Sequence, residues 1–274
     1  MSPRLYSMSL FRAMMIVAAF CLPALAQETA KEPAKEQKPI LSVKTRAIEA
    51  TLAIEDTLKA YPALYENLFA EGKRELELDK WRASAESDRK TSPEEFKDGR
   101  RYAFDRSYTR RSAIGRYVSI ERFDYLNSGG AHPNSLLDTI LWDANAKKRI
   151  SIRPFFKESA PGGPTLTRLA KEIRAALAVE KKARGADDID PAADTGLGNV
   201  KADLTKMGAV ALVPSTEAGK SAGMVFTFSP YAVGSYAEGP YTAYVPWAAF
   251  KDDLSGEGAA LFGGERPKDD EGKD

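Results

Sequence analysis

Arg101–Leu126 reads RYAFDRSYTRRSAIGRYVSIERFDYL. Its two halves, Arg101–Ile114 and Tyr117–Leu126, are rich in aromatic and β-branched residues and are parted by Gly115. Such side chains suit a pleated, half-buried surface, and glycine supplies a tight turn, so the pattern predicts a long β-hairpin. Upstream, Ile40–Ile54 alternates loosely, with Val43, Ile48, Leu52 and Ile54 apolar, and predicts a strand. Pro62 suits the first position of a helix. Leu64, Leu68, Leu76 and Trp81 carry that helix at near-helical spacing to about Ser87. Downstream, Leu136–Asp143 and Arg149–Phe156 read as further strands joined by a short turn. Together these elements predict an antiparallel meander packed on the Pro62 helix.

The second half has the same composition of parts. Pro164–Ala183 places Leu166, Leu169, Ile173 and Leu177 on one helical stripe. Ala209–Val213, Met224–Phe228 and Tyr241–Val245 read as three strands, and Trp247–Leu254 as a closing helix. The expectation is an α+β protein of two small subdomains, 40–145 and 146–254, each an antiparallel sheet packed with one long helix. Residues 27–39 and 255–274 are polar, charged and rich in Pro or Gly, and are expected to be a disordered leader and tail.

The start of the 274-residue chain reads as an export signal. Arg4 and Arg12 precede the apolar run Ala13–Leu22, and Ala24-Leu25-Ala26 offers a cleavage site before Gln27. The apolar run is too short to span a bilayer as a helix. Cleavage after Ala26 removes Cys21, the only cysteine, and moves the net charge of +1 to just below zero. The expected location is the periplasm or the exterior, with no transmembrane segment after cleavage. A charge so close to zero lacks the basic excess of a nucleic-acid binder.

His132 is the only histidine, so the chain lacks the two or three His/Cys ligands of a zinc hydrolase, and no cofactor or metal is expected. Pro214–Ser221 (PSTEAGKS) lacks the leading glycine of a phosphate loop and runs into a strand, so it reads as a hairpin turn. Asp187, Asp188, Asp190 and Asp194 miss the calcium-loop spacing and read as a solvated loop. Two segments remain. In Asn127–Asn134 (NSGGAHPN), His132 is either a loop-bracing residue or a ligand contact. In Phe226–Pro240 (FTFSPYAVGSYAEGP) and the Tyr241 that follows, Tyr231, Tyr236 and Tyr241 surround Glu238. Tyrosines on turns either cap a sheet edge or offer contact area at low entropic cost.

These two segments carry a resemblance. The GGAH loop (Gly129, Gly130, Ala131, His132) and the F-x-F-x-P-Y…G-x-Y-A-x-G pattern are similar to those of an RsiV/PdaC-like exported module. The pattern residues are Phe226, Phe228, Pro230, Tyr231, Gly234, Tyr236, Ala237 and Gly239. That module is shared by a lysozyme-sensing anti-sigma factor and a peptidoglycan deacetylase, and the similarity covers roughly Val43–Phe250. The resemblance implies a PdaC-like first subdomain and an RsiV-like second. It also implies a non-catalytic envelope module that recognises a cell-wall glycan or a wall-acting protein such as lysozyme. The deacetylase domain itself has no counterpart here. The binding residues expected are Tyr231, Tyr236, Glu238, Tyr241 and His132. Two alternatives stay open: a peptidoglycan-modifying hydrolase using Glu238 with a second carboxylate, and a structural envelope protein with no small ligand.

Overall fold

The computed structural model describes residues 37–76, 79–130, 132–186 and 196–271. The signal segment, most of the leader and the acidic loop therefore lie outside the described residues. Six strands form one sheet in the order β1 (Leu41–Lys44), β2 (Ile48–Ile54), β3 (Tyr102–Ile114), β4 (Tyr117–Asn127), β5 (Asn134–Asp143) and β6 (Lys148–Ile150). Helices α1 (Pro62–Leu76) and α2 (Asp79–Thr91) lie between β2 and β3 in the chain, and α3 (Pro164–Ala183) follows β6. A second sheet runs β7 (Ala209–Pro214), β8 (Ser221–Phe228), β9 (Tyr241–Pro246), all antiparallel. A short helix, α4 (Gly256–Leu261), comes after it. The protein is α+β.

The Arg101–Leu126 hairpin forms as its pattern requires, with Gly115 at φ 56° in the turn. Three local expectations need correcting. The run Ile40–Ile54 is two strands, because the Thr45 hydroxyl accepts hydrogen bonds from the backbone N–H of Ala47 and Ile48 and turns the chain. The Pro62 helix is described as Pro62–Leu76 and Asp79–Thr91, with residues 77–78 between them outside the described residues. Arg149–Phe156 keeps only two strand residues, Arg149 and Ile150, since Pro154 sits in a 3₁₀ turn that aims Phe155 and Phe156 inward. Trp247–Leu254 is a pair of 3₁₀ turns.

The first sheet is also not purely antiparallel. β2 and β3 pair in parallel, Ile48 opposite Tyr102 through Ile54 opposite Tyr108. A parallel pair needs a crossover, and α1 with α2 supplies it. Leu64, Leu68, Gly72 and Leu76 form the buried stripe of α1. Gly72 is there because a Cβ would lie 2.5 Å from Cδ1 of Leu52 on β2.

Two large apolar cores result, beside a small cluster of Ala211, Val213, Ala222 and Val225 on the second sheet. One gathers Leu52, Leu64, Leu68, Tyr108, Ile120 and Trp142 between the large sheet and α1. The other gathers α3 and the second sheet around Leu169, Ile173, Phe226 and Phe250, but it also takes Ile114, Tyr117 and Leu141 from the first sheet. Residues from Gln37 onward accordingly form one compact unit. Polar contacts also cross the junction. Strand β7 has an edge without a strand partner, and hydroxyls of the large sheet meet it. Ser119 Oγ accepts from Leu212 N at 3.0 Å, Ser112 Oγ donates to Leu212 O at 2.8 Å, and Thr139 Oγ1 donates to Val210 O at 2.7 Å. An edge that is satisfied in this way is not left open for aggregation.

The tail expected to be disordered from residue 255 is folded up to residue 271. Ser255 caps α4 by accepting from Gly258 N at 3.1 Å. Phe262 is buried, and Gly263 N donates to Ser221 O at 2.9 Å. A register shift between Arg110 and Ser112 makes Arg111 the bulged residue of β3. Its guanidinium meets both carboxylate oxygens of Asp270, at 2.7 and 2.8 Å, with both side chains 3% exposed. Burial works against the Asp270 charge, but Arg111 and Arg266 outweigh it and hold the carboxyl below its usual range.

Candidate binding site

Two loops meet beyond the ends of β4 and β8. The link between them is Ser229, whose hydroxyl accepts from Leu137 N at 2.9 Å and lies 3.3 Å from Leu137 O, on the side of β5 away from β4. Strand β6 pairs only with Leu141–Asp143, so this stretch of β5 would otherwise be a bare edge.

The loops bring three rings together. His132 stacks on Tyr236, with centroids 3.8 Å apart and planes 19° off parallel. Its Nε2 is 3.2 Å from the Tyr231 hydroxyl, and Nδ1 is 3.0 Å from Pro133 O. The Tyr236 hydroxyl donates to Pro133 O at 2.7 Å. Tyr231 and Tyr236 are 5.5 Å apart between centroids. Tyr231 is 58% exposed and sits at φ 71°, a conformation that a bulky residue adopts only when its surroundings impose it. An exposed aromatic held in that way forms a rigid platform.

Glu238 and Tyr241 lie in the same loop but face a different set of partners. Glu238 accepts from Ser235 N at 2.6 Å and from the Tyr241 hydroxyl at 2.7 Å, and Lys181 of α3 is 3.4 Å away. Ser235 and Glu238 close a capping box, and Gly239 follows at φ 74°. These bonds, the Ser235 N–H first, hold the Glu238 carboxyl down to about 2. Burial, and then the neighbouring Glu238 charge, push the Tyr241 phenol up to about 12. Tyr241 is 2% exposed, and the Arg184 guanidinium stands 4.2 Å from the centre of its ring. Arg184 also donates to the carbonyls of Glu238 and Pro240, both at 2.9 Å. Of the five residues singled out by sequence, His132, Tyr231 and Tyr236 therefore make one surface. Tyr241 is not on it, and Glu238 is a turn-bracing residue that is ionised across the ordinary pH range. A carboxyl so acidic holds no proton to give as a general acid near neutrality.

Reading of the sequence missed a cleft beside the platform. It is an open groove of about 510 Å³ lined by Leu136, Asn199, Lys206, Phe228, Ala232 and Val233, among others. Leu136, 47% exposed beside Leu137 on β5, breaks the alternation expected of a half-buried strand and is the one signal that pointed there. Among the described residues no group of three or more His, Cys, Asp and Glu side chains is placed to hold a metal ion. No helix among them is long and apolar enough to cross a membrane.

Fold and surface define an α+β protein of two sheets with an aromatic patch between loops, and known structures share that fold. A crystal structure of a DUF3298 family member from Bacteroides fragilis NCTC 9343 is similar to this chain at TM-score 0.52 and 15% identity. That match covers 80% of this chain and 94% of the other. A DUF3298 family protein from Pseudomonas aeruginosa PAO1 matches at TM-score 0.47 and 15% identity, over 79% of this chain and 87% of the other. No family model matches the sequence, and no curated protein matches it. The fold is one seen in the DUF3298 family.

Proposed function

We propose that the chain is an exported, non-catalytic binding module of the bacterial envelope, and that the His132–Tyr231–Tyr236 platform recognises a cell-wall glycan. The observation that carries this reading is the platform itself. Three aromatic rings from loops about a hundred residues apart in sequence converge, and the outermost is exposed although its backbone is held in an unfavourable region. The flat faces of sugar rings present C–H groups, which pack well on such faces, while ring hydroxyls find partners in phenol and imidazole. The resemblance to the RsiV/PdaC-like module supports the cell-wall setting, and the export signal supports the location.

Co-sedimentation of residues 27–274 with purified peptidoglycan, with and without lysozyme, tests the reading. Pelleting with wall alone is the expected result. Pelleting only when lysozyme is present would replace the glycan by a wall-acting protein. No pelleting in either arm would leave a structural envelope protein as the better description.

A further inference from the structure

The cleft beside the platform has a chemistry of its own. It starts one residue after Tyr231, at Ala232, and three after Pro133, at Leu136. Its volume of about 510 Å³ falls in the range of small-ligand sites. Leu136, Phe228, Ala232 and Val233 give it apolar walls. Its rim holds Asn199, whose Nδ2 donates to Ala232 O at 3.0 Å, and Lys206. Lys206 is the only cation among the described lining residues, and Asp138 the only carboxylate. The Asp138 charge is met by Arg122 at 2.9 Å, and Lys206, close enough to Asp203 to lower its carboxyl, is the lining cation that an incoming carboxylate can reach. An added β-strand is not a suitable occupant, because the Ser229 hydroxyl already occupies both backbone groups of Leu137.

We propose that this cleft receives a short acyl or peptidyl arm ending in a carboxylate, carried by the sugar whose ring lies on the platform. The arm's apolar part packs on Leu136, Ala232 and Val233, and its carboxylate pairs with Lys206. The ligand class is thus an N-acylated amino sugar with an anionic side arm, not a neutral glycan. This proposal rests on the glycan reading of the platform.

Calorimetric titration of the full chain with two soluble probes tests it: N-acetylmuramyl dipeptide, which carries ring, acyl group and carboxylate, and chitotriose, which carries no carboxylate. The wild type is expected to bind the muramyl peptide at least about tenfold more tightly, as one charge-assisted contact allows. Lys206→Gln should bring the muramyl peptide down to the level of chitotriose, while Tyr231→Ala should weaken both probes alike. Lys206 is exposed, and an unchanged melting temperature of its variant confirms that the fold is intact. A preference that survives Lys206→Gln, or a wild type with no preference, overturns the cleft proposal and leaves the platform standing. Undiminished binding in Tyr231→Ala overturns the platform reading, and absence of binding by either probe overturns both.

Discussion

The two cores of this protein are closed by opposite means. Helix α3 meets the second sheet through Leu166, Leu169, Ile173 and Leu177 against Phe226, Ala243 and Val245, an almost purely apolar contact. On the first sheet, a line of charges adjoins the apolar stripe of α1. Arg106, 5% exposed, forks onto both oxygens of Asp124 at 2.6 Å. Glu71 of α1 takes Arg122 at 3.0 Å and is also paired with Arg149. An apolar contact is non-directional and tolerant, whereas buried ions demand that every partner be present. The first core is therefore the one that fails sharply when a single atom group is removed.

That contrast is broken most directly at Asp124. Asp124→Ala leaves Arg106 buried without its bidentate partner and should destabilise the protein by about 3–5 kcal/mol. Urea unfolding measures this. Replacing both residues, Arg106→Met with Asp124→Leu, should recover most of that loss, because the cost lies in the uncompensated charge. In the other core Ile173→Ala should cost about 2–5 kcal/mol through lost contacts and a cavity, with no single partner able to restore it.

Asp270 ties the tail to the bulge of β3 and sharpens the comparison at the junction. Asp270→Asn should cost less than Asp124→Ala, about 3 kcal/mol or below, because the amide keeps the carboxylate's shape and one oxygen that accepts from Arg111. Limited proteolysis should then cut between Phe262 and Asp270 in the variant and spare the wild type.

The pH dependence follows the same division. Burial alone would push Glu71 up, but Arg149, Arg122 and Arg106 together hold it below its ordinary value. Asp270 and Glu238 are lowered as well, Glu238 to about 2. For a carboxyl lowered by folding, the stabilisation is complete above the unfolded range near pH 4 and is lost as pH falls through the folded value. Urea midpoints should therefore stay level from pH 7 to about 5 and fall between about 4 and 2. Asp270→Asn should flatten part of that fall, and Ile173→Ala should shift the whole curve without changing its shape.

Helix α3 and strands β7, β8 and β9 were legible because each obeys a single rule. The α3 stripe repeats at helical spacing over its whole length, β7 and β8 are largely apolar runs between turn residues, and β9 alternates buried and half-buried residues. What escaped was decided by partners far away in sequence. The parallel pairing of β2 with β3 depends on a crossover. The order of residues 255–271 depends on Arg111, more than a hundred positions earlier, and in sequence Asp270 is one acid among several. The site shows the same limit. Tyr231, Tyr236 and His132 were readable as a group of aromatic loop residues. Whether Tyr241 faced in or out was not, since its burial is set by Arg184 and Lys181 on α3. The cleft was invisible because its walls come from four separate segments.

The smallest structural change carries the most direct test. Tyr231 is exposed, so Tyr231→Ala removes a ring of the platform without opening a core. The decisive measurement is a binding isotherm on solubilised peptidoglycan fragments, run beside a thermal melt of the same variant. The account predicts binding weaker by about tenfold, the worth of a stacking face of roughly 1.4 kcal/mol, with the melting temperature unchanged. Binding that matches wild type in a protein that melts normally would contradict the claim that this platform is where the ligand sits.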